Sequence, residues 1–270
     1  MKKQRAFLKW AGGKYSLVEQ IIKHLPEGDL LVEPFVGAGS VFLNTNYERY
    51  ILADINHDLI ALFNTIKEQP EKFIDDARVL FNPQNNQTAA FYELRNFFNY
   101  TKSDYQKSLL FLYLNRHCYN GLCRYNSKGE FNVPFGQNYD RVYFPEDEII
   151  AFSEKAQKAE FVCASYHSVM QNAQKGSVVY CDPPYVPLSV SSSFTSYYSI
   201  DFGIDDQKNL ATLAENLAKK DIPVLISNHD TTDTRDWYQH AKLHSVTSRR
   251  SINSNGSGRK KIDELLALYS

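Results

Sequence analysis

The sequence predicts an α/β protein: a doubly wound, mostly parallel sheet with its last strand antiparallel, interrupted by a helical and β-hairpin insertion. Three observations predict it. Two consecutive strand–turn–helix units stand near the start, in "LLVEPFVGAGSVFLNT" and "YILADINHDLIALFNTIK". The alternation lapses over a long middle stretch and then resumes. Two final apolar runs, "AKLHSVTS" and "ELLALY", lie close enough in sequence to pair antiparallel.

In the first unit a strand is expected over Leu30–Glu33, followed by a Gly-rich turn at Gly37 and Gly39. A helix should start near Ser40, a residue type that caps helix N-termini. The second unit has a strand over Tyr50–Ala53, Asp54 at its tip, and a helix from about Asp58. Between about Lys67 and Gln157, "AAFYELRNFFNYTK" and "YQKSLLFLYLNRH" carry the apolar spacing of amphipathic helices. "CRYNSKGEFNVPFG" predicts a hairpin turning at Asn126–Gly129. The chain thus divides into a core of residues 1–66 and 158–270 and an inserted subdomain of residues 67–157. The core resumes with a strand ending at Asp182, the helix "DQKNLATLAENLAKK" and a strand over Ile222–Asn228. The serine-rich stretch 186–204 between them is long for a loop within a domain, a length that marks functional or mobile loops, and the sequence leaves open whether it closes as a lid.

Composition narrows the class. The chain has 270 residues, 43% of them hydrophobic, and no apolar run of membrane-spanning length. Four cysteines without a paired framework fit reduced thiols in a cytoplasm. Cys118 and Cys123 lie beside His117, but no second ligand pair follows and the spacing matches no familiar finger, so no metal is expected. The net charge is −1, yet the positive charge is unevenly spread. Lys2, Lys3, Arg5, Lys9 and Lys14 precede the first acid, Glu19, and "SRRSINSNGSGRKK" holds Arg249, Arg250, Arg259, Lys260 and Lys261 with no acid. On charge alone, phosphate contact and simple solvation are both open for these segments.

Gly37-Ala38-Gly39 sits where a strand gives way to a helix, so backbone there can approach a ligand closely. A lone GxG also describes an ordinary tight turn. Asp54 adds weight, because it follows Gly37 by 17 residues at the tip of the next strand, where nucleotide-binding folds place a carboxylate on ribose hydroxyls. Phe42 stands where a dinucleotide fingerprint has its third glycine, so a phosphate-free nucleoside such as S-adenosylmethionine fits better. Gly12-Gly13-Lys14 is not a P-loop, since Leu8 replaces its first glycine and Tyr15 its Ser or Thr.

Asp182-Pro183-Pro184-Tyr185 is the most specific signal. The residues "VVYCDPPY" read as a buried strand that stops where two prolines cannot donate to a ladder. An aromatic amine is a weak nucleophile, its lone pair being delocalised. A carboxylate and a backbone carbonyl that each accept one N–H would aim that lone pair at an electrophilic methyl. The prolines stiffen the turn, and Tyr185 offers a face for a planar substrate. Orientation is then the main catalytic device. Cys181 is a strand-end thiol in this reading, since direct transfer to an amine needs no covalent intermediate.

"FVGAG" followed far downstream by "DPPY" resembles the α group of amino-methyltransferases that use S-adenosylmethionine. "AFLKWAGGK", "NGLCRYNSKGEFNVPFG" and "ISNHD" narrow the resemblance to the DNA adenine methyltransferase (Dam) family, over nearly the whole chain. That resemblance implies methylation of adenine N6 in GATC of double-stranded DNA, by a monomer acting on nucleoid DNA in the cytoplasm. It implies that Trp10, Lys14, Phe35, Asp54 and Asp182 line the cofactor pocket beside Gly37 and Gly39. Asp182 and the Pro183 carbonyl would hold the amino group of a flipped base and Tyr185 would stack on it. Tyr119 and Asn120 would occupy the space the base vacates, while Lys9, Leu122, Arg124 and Pro134 read bases and residues 67–157 recognise the target. Independently, Arg124 has the forked donors suited to guanine O6 and N7. An RNA or cytosine-N4 methyltransferase, or a non-catalytic DNA-binding relative, remains open on the residues alone.

Overall fold

The computed structural model describes residues 3–137, 139, 143–185, 202–248 and 262–270. Lys2, most of the serine-rich stretch 186–204 and the basic segment from Arg249 to Lys261 lie outside the described residues.

The chain runs α1 (Val18–His24), β1 (Leu30–Glu33), α2 (Ser40–Asn44), β2 (Arg49–Asp54) and α3 (His57–Glu68). Four helices follow: α4 (Pro70–Leu80), α5 (Thr88–Tyr100), α6 (Asp104–His117) and α7 (Glu146–Ala156). The alternation then resumes with β3 (Ala159–Cys163), α8 (Tyr166–Gln171), β4 (Ser177–Cys181), α9 (Ile204–Ala218), β5 (Val224–His229), α10 (Thr232–Trp237), β6 (Lys242–Ser248) and β7 (Ile262–Tyr269).

The seven strands form one sheet in the order β3-β2-β1-β4-β5-β7-β6. β1 pairs in parallel with both β2 and β4, and Val32 is in register with Val179. β7 is the reversed strand, antiparallel to β5 and β6 on either side. The order changes direction between β1 and β4, which opens a crevice beyond their carboxyl ends. Glu33 ends one of these strands and Cys181 the other, so the Gly-rich turn and Asp182 arrive at the same crevice.

Alternation of side chains gives the sheet two apolar faces. Leu31, Leu52 and Tyr180 face a core containing Phe42, Phe63, Phe152 and Phe161. Val32, Val179 and Ile226 face Leu210, Ala214 and Leu217 of α9. Every residue of β4 is buried, as expected of a central parallel strand covered on both faces.

Two helix starts differ from the sequence expectation. α2 is preceded by Gly39 at φ +74°, and Ser40 is its first helical residue rather than its cap. The left-handed turn needs a residue without Cβ, and that requirement displaces the better capping side chain. α3 is capped by Asn56, whose side chain accepts from Leu59 N, so the helix begins ahead of Asp58. The hairpin turns where expected, with Gly129 N donating to Asn126 O at 2.9 Å. Its arms meet through isolated bridges, Tyr125 with Phe131 and Cys118 with Phe135, without a regular ladder among the described residues.

The stretch 67–157 leaves and rejoins the sheet at one place. Lys67 Nζ donates to Ala159 O at 2.7 Å, and Gln157 Nε2 donates to Lys67 O at 3.1 Å. Helix α6 lies along α3, burying Leu110, Phe111 and Leu114 in the core that also holds Phe63. Cys118, Cys123 and Cys181 are buried, and Cys163 is exposed at the end of β3.

Candidate active site and nucleic-acid interface

Asp182 follows the last residue of β4, and its side chain is 20% exposed. Lys14 Nζ lies 2.8 Å from Asp182 Oδ1, and Ser227 Oγ on β5 donates to the same oxygen at 3.0 Å. Lys14 is buried, with its ammonium also donating to Gly12 O at 2.9 Å. A second buried carboxylate, Glu264 on β7, stands 3.9 Å from the ammonium.

Tyr185 joins this cluster. Its hydroxyl donates to Glu264 Oε2 at 3.0 Å, and Lys14 Nζ sits 4.6 Å from its ring centroid. His229 meets the ring in a T-shaped contact at 4.5 Å. Burial and the neighbouring carboxylates raise the Tyr185 phenol well above its ordinary range, so it remains a donor at neutral pH. Lys14 and His229 fix the plane of the ring.

The two prolines differ in what their carbonyls do. Gln207 Nε2 donates to Pro184 O at 2.9 Å. Gln207 is fully buried, and its Oε1 accepts from Asn228 Nδ2 at 3.0 Å and from the Tyr238 hydroxyl at 2.9 Å. The Pro184 carbonyl is therefore engaged by the protein. Ser227, Gln207, Asn228 and Glu264 escaped the sequence reading. "ISNHD" carries two of them, but their partners lie far away in sequence.

At the end of β1, Glu33 is buried and its Oε1 has no hydrogen-bond partner among the described residues. Burial and the charge of Asp182 push its carboxyl up to about 8. Neutral Glu33 is the consequence at physiological pH.

The expected cofactor residues line the adjoining turn. Asp54 Oδ2 accepts from Gly37 N at 3.2 Å and its Oδ1 accepts from Asn56 N at 2.9 Å. Burial raises the Asp54 carboxyl, against these backbone donors. Gly37 adopts φ +48°, and a Cβ there would lie 2.8 Å from Trp10 Nε1. The indole thus covers the turn at van der Waals distance, which any side chain at position 37 would prevent. Phe35 stacks on Tyr166 of α8, with centroids 5.3 Å apart.

Several of the expected DNA-contacting residues gather around the C-terminal end of α6. Tyr119 is 53% exposed, so it is no core residue. Asn120 and Gly121 follow it at φ +53° and +65°, two left-handed residues that force a sharp outward turn. Tyr119 N donates to Pro134 O at 2.9 Å, which joins the turn to the far arm of the hairpin. Leu122 is half-buried against the core. Arg124 Nε donates to Asn132 Oδ1 at 2.8 Å, holding the guanidinium across the hairpin.

Lys9 arrives from the opposite end of the chain. Its N donates to Asn115 Oδ1 at 2.9 Å, Asn115 Nδ2 donates back to Lys9 O at 2.7 Å, and the same Nδ2 donates to Gly121 O at 3.2 Å. The N-terminal arm is held the same way at Gln4 by Asn44. Lys3 and Arg5 lie over the Tyr15 ring at 4.3 and 5.0 Å.

Three of the four thiols are held away from their reactive thiolate form by burial. Burial pushes the Cys118 thiol up to about 12 and raises Cys123 and Cys181 as well. No group of three metal-ligating side chains occurs among the described residues. No helix among them is long and apolar enough to cross a membrane.

A glycine turn and a carboxylate at adjacent strand tips, with Asp-Pro-Pro-Tyr at the switch point, are the features of an α/β enzyme of the amino-methyltransferase class. The model of the D12 class N6 adenine-specific DNA methyltransferases matches residues 10–252. The chain belongs to that family and is a DNA adenine methyltransferase, acting on DNA with a methyl donor. Curated relatives named DNA adenine methylase are similar over the full chain. That of Salmonella typhi is 61% identical over 96% of its own length, and that of Serratia marcescens 60% over 100%. The one from Escherichia coli strain K12 is 59% identical over 96% of its length.

Proposed function

We propose that the enzyme takes its methyl group from S-adenosylmethionine and transfers it to N6 of an adenine flipped out of double-stranded GATC. The observation that carries the reading is the division of labour at Asp182-Pro183-Pro184-Tyr185. Lys14 and Ser227 both act on Asp182 Oδ1, and Gln207 takes the Pro184 carbonyl. Asp182 Oδ2 and the Pro183 carbonyl are then the pair of acceptors offered to an amino group.

The residues present fit the cofactor. Asp54, already oriented by two backbone donors, suits ribose hydroxyls, and Gly37 gives a close approach beside Trp10. Trp10, Lys14, Phe35, Gly37, Gly39, Asp54 and Asp182 would hold it. When bound, it supplies an electrophilic methyl group.

A base in a duplex must be extruded at a cost of a few kcal/mol before its amine can reach Asp182. Exposed Tyr119 on its left-handed turn, with Asn120, is suited to occupy the vacated space. The Tyr185 ring would receive the base. Residues 67–157 form the target-recognition subdomain on a core of 1–66 and 158–270. There Leu122, Arg124 and Pro134 read bases together with Lys9 from the arm. The enzyme acts as a monomer on DNA in the cytoplasm.

Tritiated methyl transfer to GATC duplexes, near-cognate duplexes, and matched RNA tests the substrate. Incorporation into N6-methyladenine of GATC alone supports the reading. Equal transfer to duplexes lacking GATC, to RNA, or to cytosine N4 overturns it.

A further inference from the structure

We propose that Asn115 is a specificity-positioning residue, which fastens Lys9 to the Tyr119–Gly121 turn so that arm and wedge engage DNA as one body. The proposal rests on the reading above, in which Lys9 reads a base.

The geometry is complete at Asn115. One buried amide, 2% exposed, uses its oxygen for Lys9 N and both amine hydrogens for Lys9 O and Gly121 O. It satisfies the arm as a neighbouring strand would, in two directions, and reaches the wedge turn with its last hydrogen. The contact is also sterically exclusive. A Cβ on Gly121 would overlap Lys9 Cβ, so arm and turn pack backbone against side chain with no slack. Two further hydrogen bonds lie alongside: Lys9 Nζ donates to Arg116 O at 3.3 Å, and Arg116 Nη1 donates to Phe7 O at 3.3 Å. Burial and the neighbouring Arg116 lower the Lys9 ammonium, in keeping with a lysine held against the protein.

Arm and wedge are separated in sequence by 106 residues between Lys9 and Asn115. Without the amide, the arm can place Lys9 at several depths in the groove while Tyr119 still inserts. Base reading by Lys9 would then weaken, whereas cofactor binding and chemistry would not. Asn115 therefore acts on discrimination through Lys9, without touching the base.

Methyl-transfer kinetics on cognate and single-substituted duplexes test this with Lys9→Ala, Asn115→Ala and the double variant. Asn115→Ala should lower discrimination about tenfold at the base pair where Lys9→Ala lowers it, the size of one lost base contact. It should add nothing in the Lys9→Ala background, and cofactor affinity should be unchanged. Asn115→Asp keeps the acceptor for Lys9 N but sets a carboxylate against two carbonyls, so it should reproduce the loss if Asn115→Ala does not fold. A uniform fall in rate on every duplex, or additive effects in the double variant, overturns the proposal. If Lys9→Ala itself leaves discrimination intact, the base-reading role of Lys9 fails first, and the proposal with it.

Discussion

One ammonium stands between two carboxylates at the heart of the site: Lys14 Nζ is 2.8 Å from Asp182 Oδ1 and 3.9 Å from Glu264 Oε2. The lysine side chain is 5% exposed and that of Glu264 3%, so water does little to screen the carboxylates from each other. Truncating one partner of a buried pair costs about 3–5 kcal/mol. Lys14→Ala should fall at the lower end of that range, because Asp182 is more open to solvent. Urea denaturation measures the loss, and an unchanged midpoint would show that the cation is not structural.

Asp182→Ala should abolish methyl transfer while sparing most DNA binding. The carboxylate lies in the crevice beside Lys14 and would repel phosphates, so it is not expected to hold the DNA backbone. Rapid-quench transfer and a fluorescence binding titration separate the two effects. Turnover near wild type contradicts the acceptor role.

Gln207→Glu changes one atom in a fully buried network and leaves the fold its volume. A carboxyl group would then face the Pro184 carbonyl in place of the amide donor at 2.9 Å. Displacement of the turn by about 1 Å can cost about a hundredfold in rate. The loss should appear in kcat, with DNA affinity held. Equal loss in both would point to general unfolding instead.

Glu33 gives a pH signature. Its carboxyl ionises near the ordinary glutamate value of 4.5 in the unfolded chain and at about 8 in the fold. Between those values the folded state holds a proton that the unfolded state has released. Stability from Glu33 is therefore fully present below about 4.5 and is lost as pH rises toward 8, with a slope of at most about 1.4 kcal/mol per pH unit. Lys155, lowered to about 8 by burial, acts in the opposite sense and only above that pH. Glu33→Gln should remove the lower slope and be more stable than wild type at pH 8. Thermal melts from pH 5 to about 8 on both proteins check the difference.

Arg124→Ala should relax specificity at one base pair by about 1–3 kcal/mol and weaken binding to other sequences less. The Asn132 contact holds only part of the guanidinium, through Nε and Nη2. Competition binding with substituted duplexes measures it. A uniform loss would mark Arg124 as a phosphate contact.

The core topology was legible because parallel strands buried on both faces, such as "VVYC", and their glycine turns are local signals. The strand β3 was missed: "AEFVC" is a five-residue edge strand with an exposed Glu160, and it directly follows helix α7. Asp54, Asp182 and Tyr185 stood out through motif position. Ser227, Gln207 and Glu264 did not, since a buried polar residue declares its role only when its partner, 79 residues away for Tyr185 and Glu264, is seen beside it. Asn115 was hidden for the same reason: within "LYLNRH" it reads as one more polar residue of a helix.

The burial of Cys118, Cys123 and Cys181 leaves Cys163 as the solvent-facing thiol of the four. It is the register partner of Asp54 on the neighbouring strand, about 5 Å away across the ladder. The native chain thus carries a natural attachment point for a thiol-reactive fluorophore beside Asp54, at the rim of the pocket proposed for the cofactor. Occupancy of that pocket can be followed optically on the unaltered protein, with no cysteine-free background to engineer.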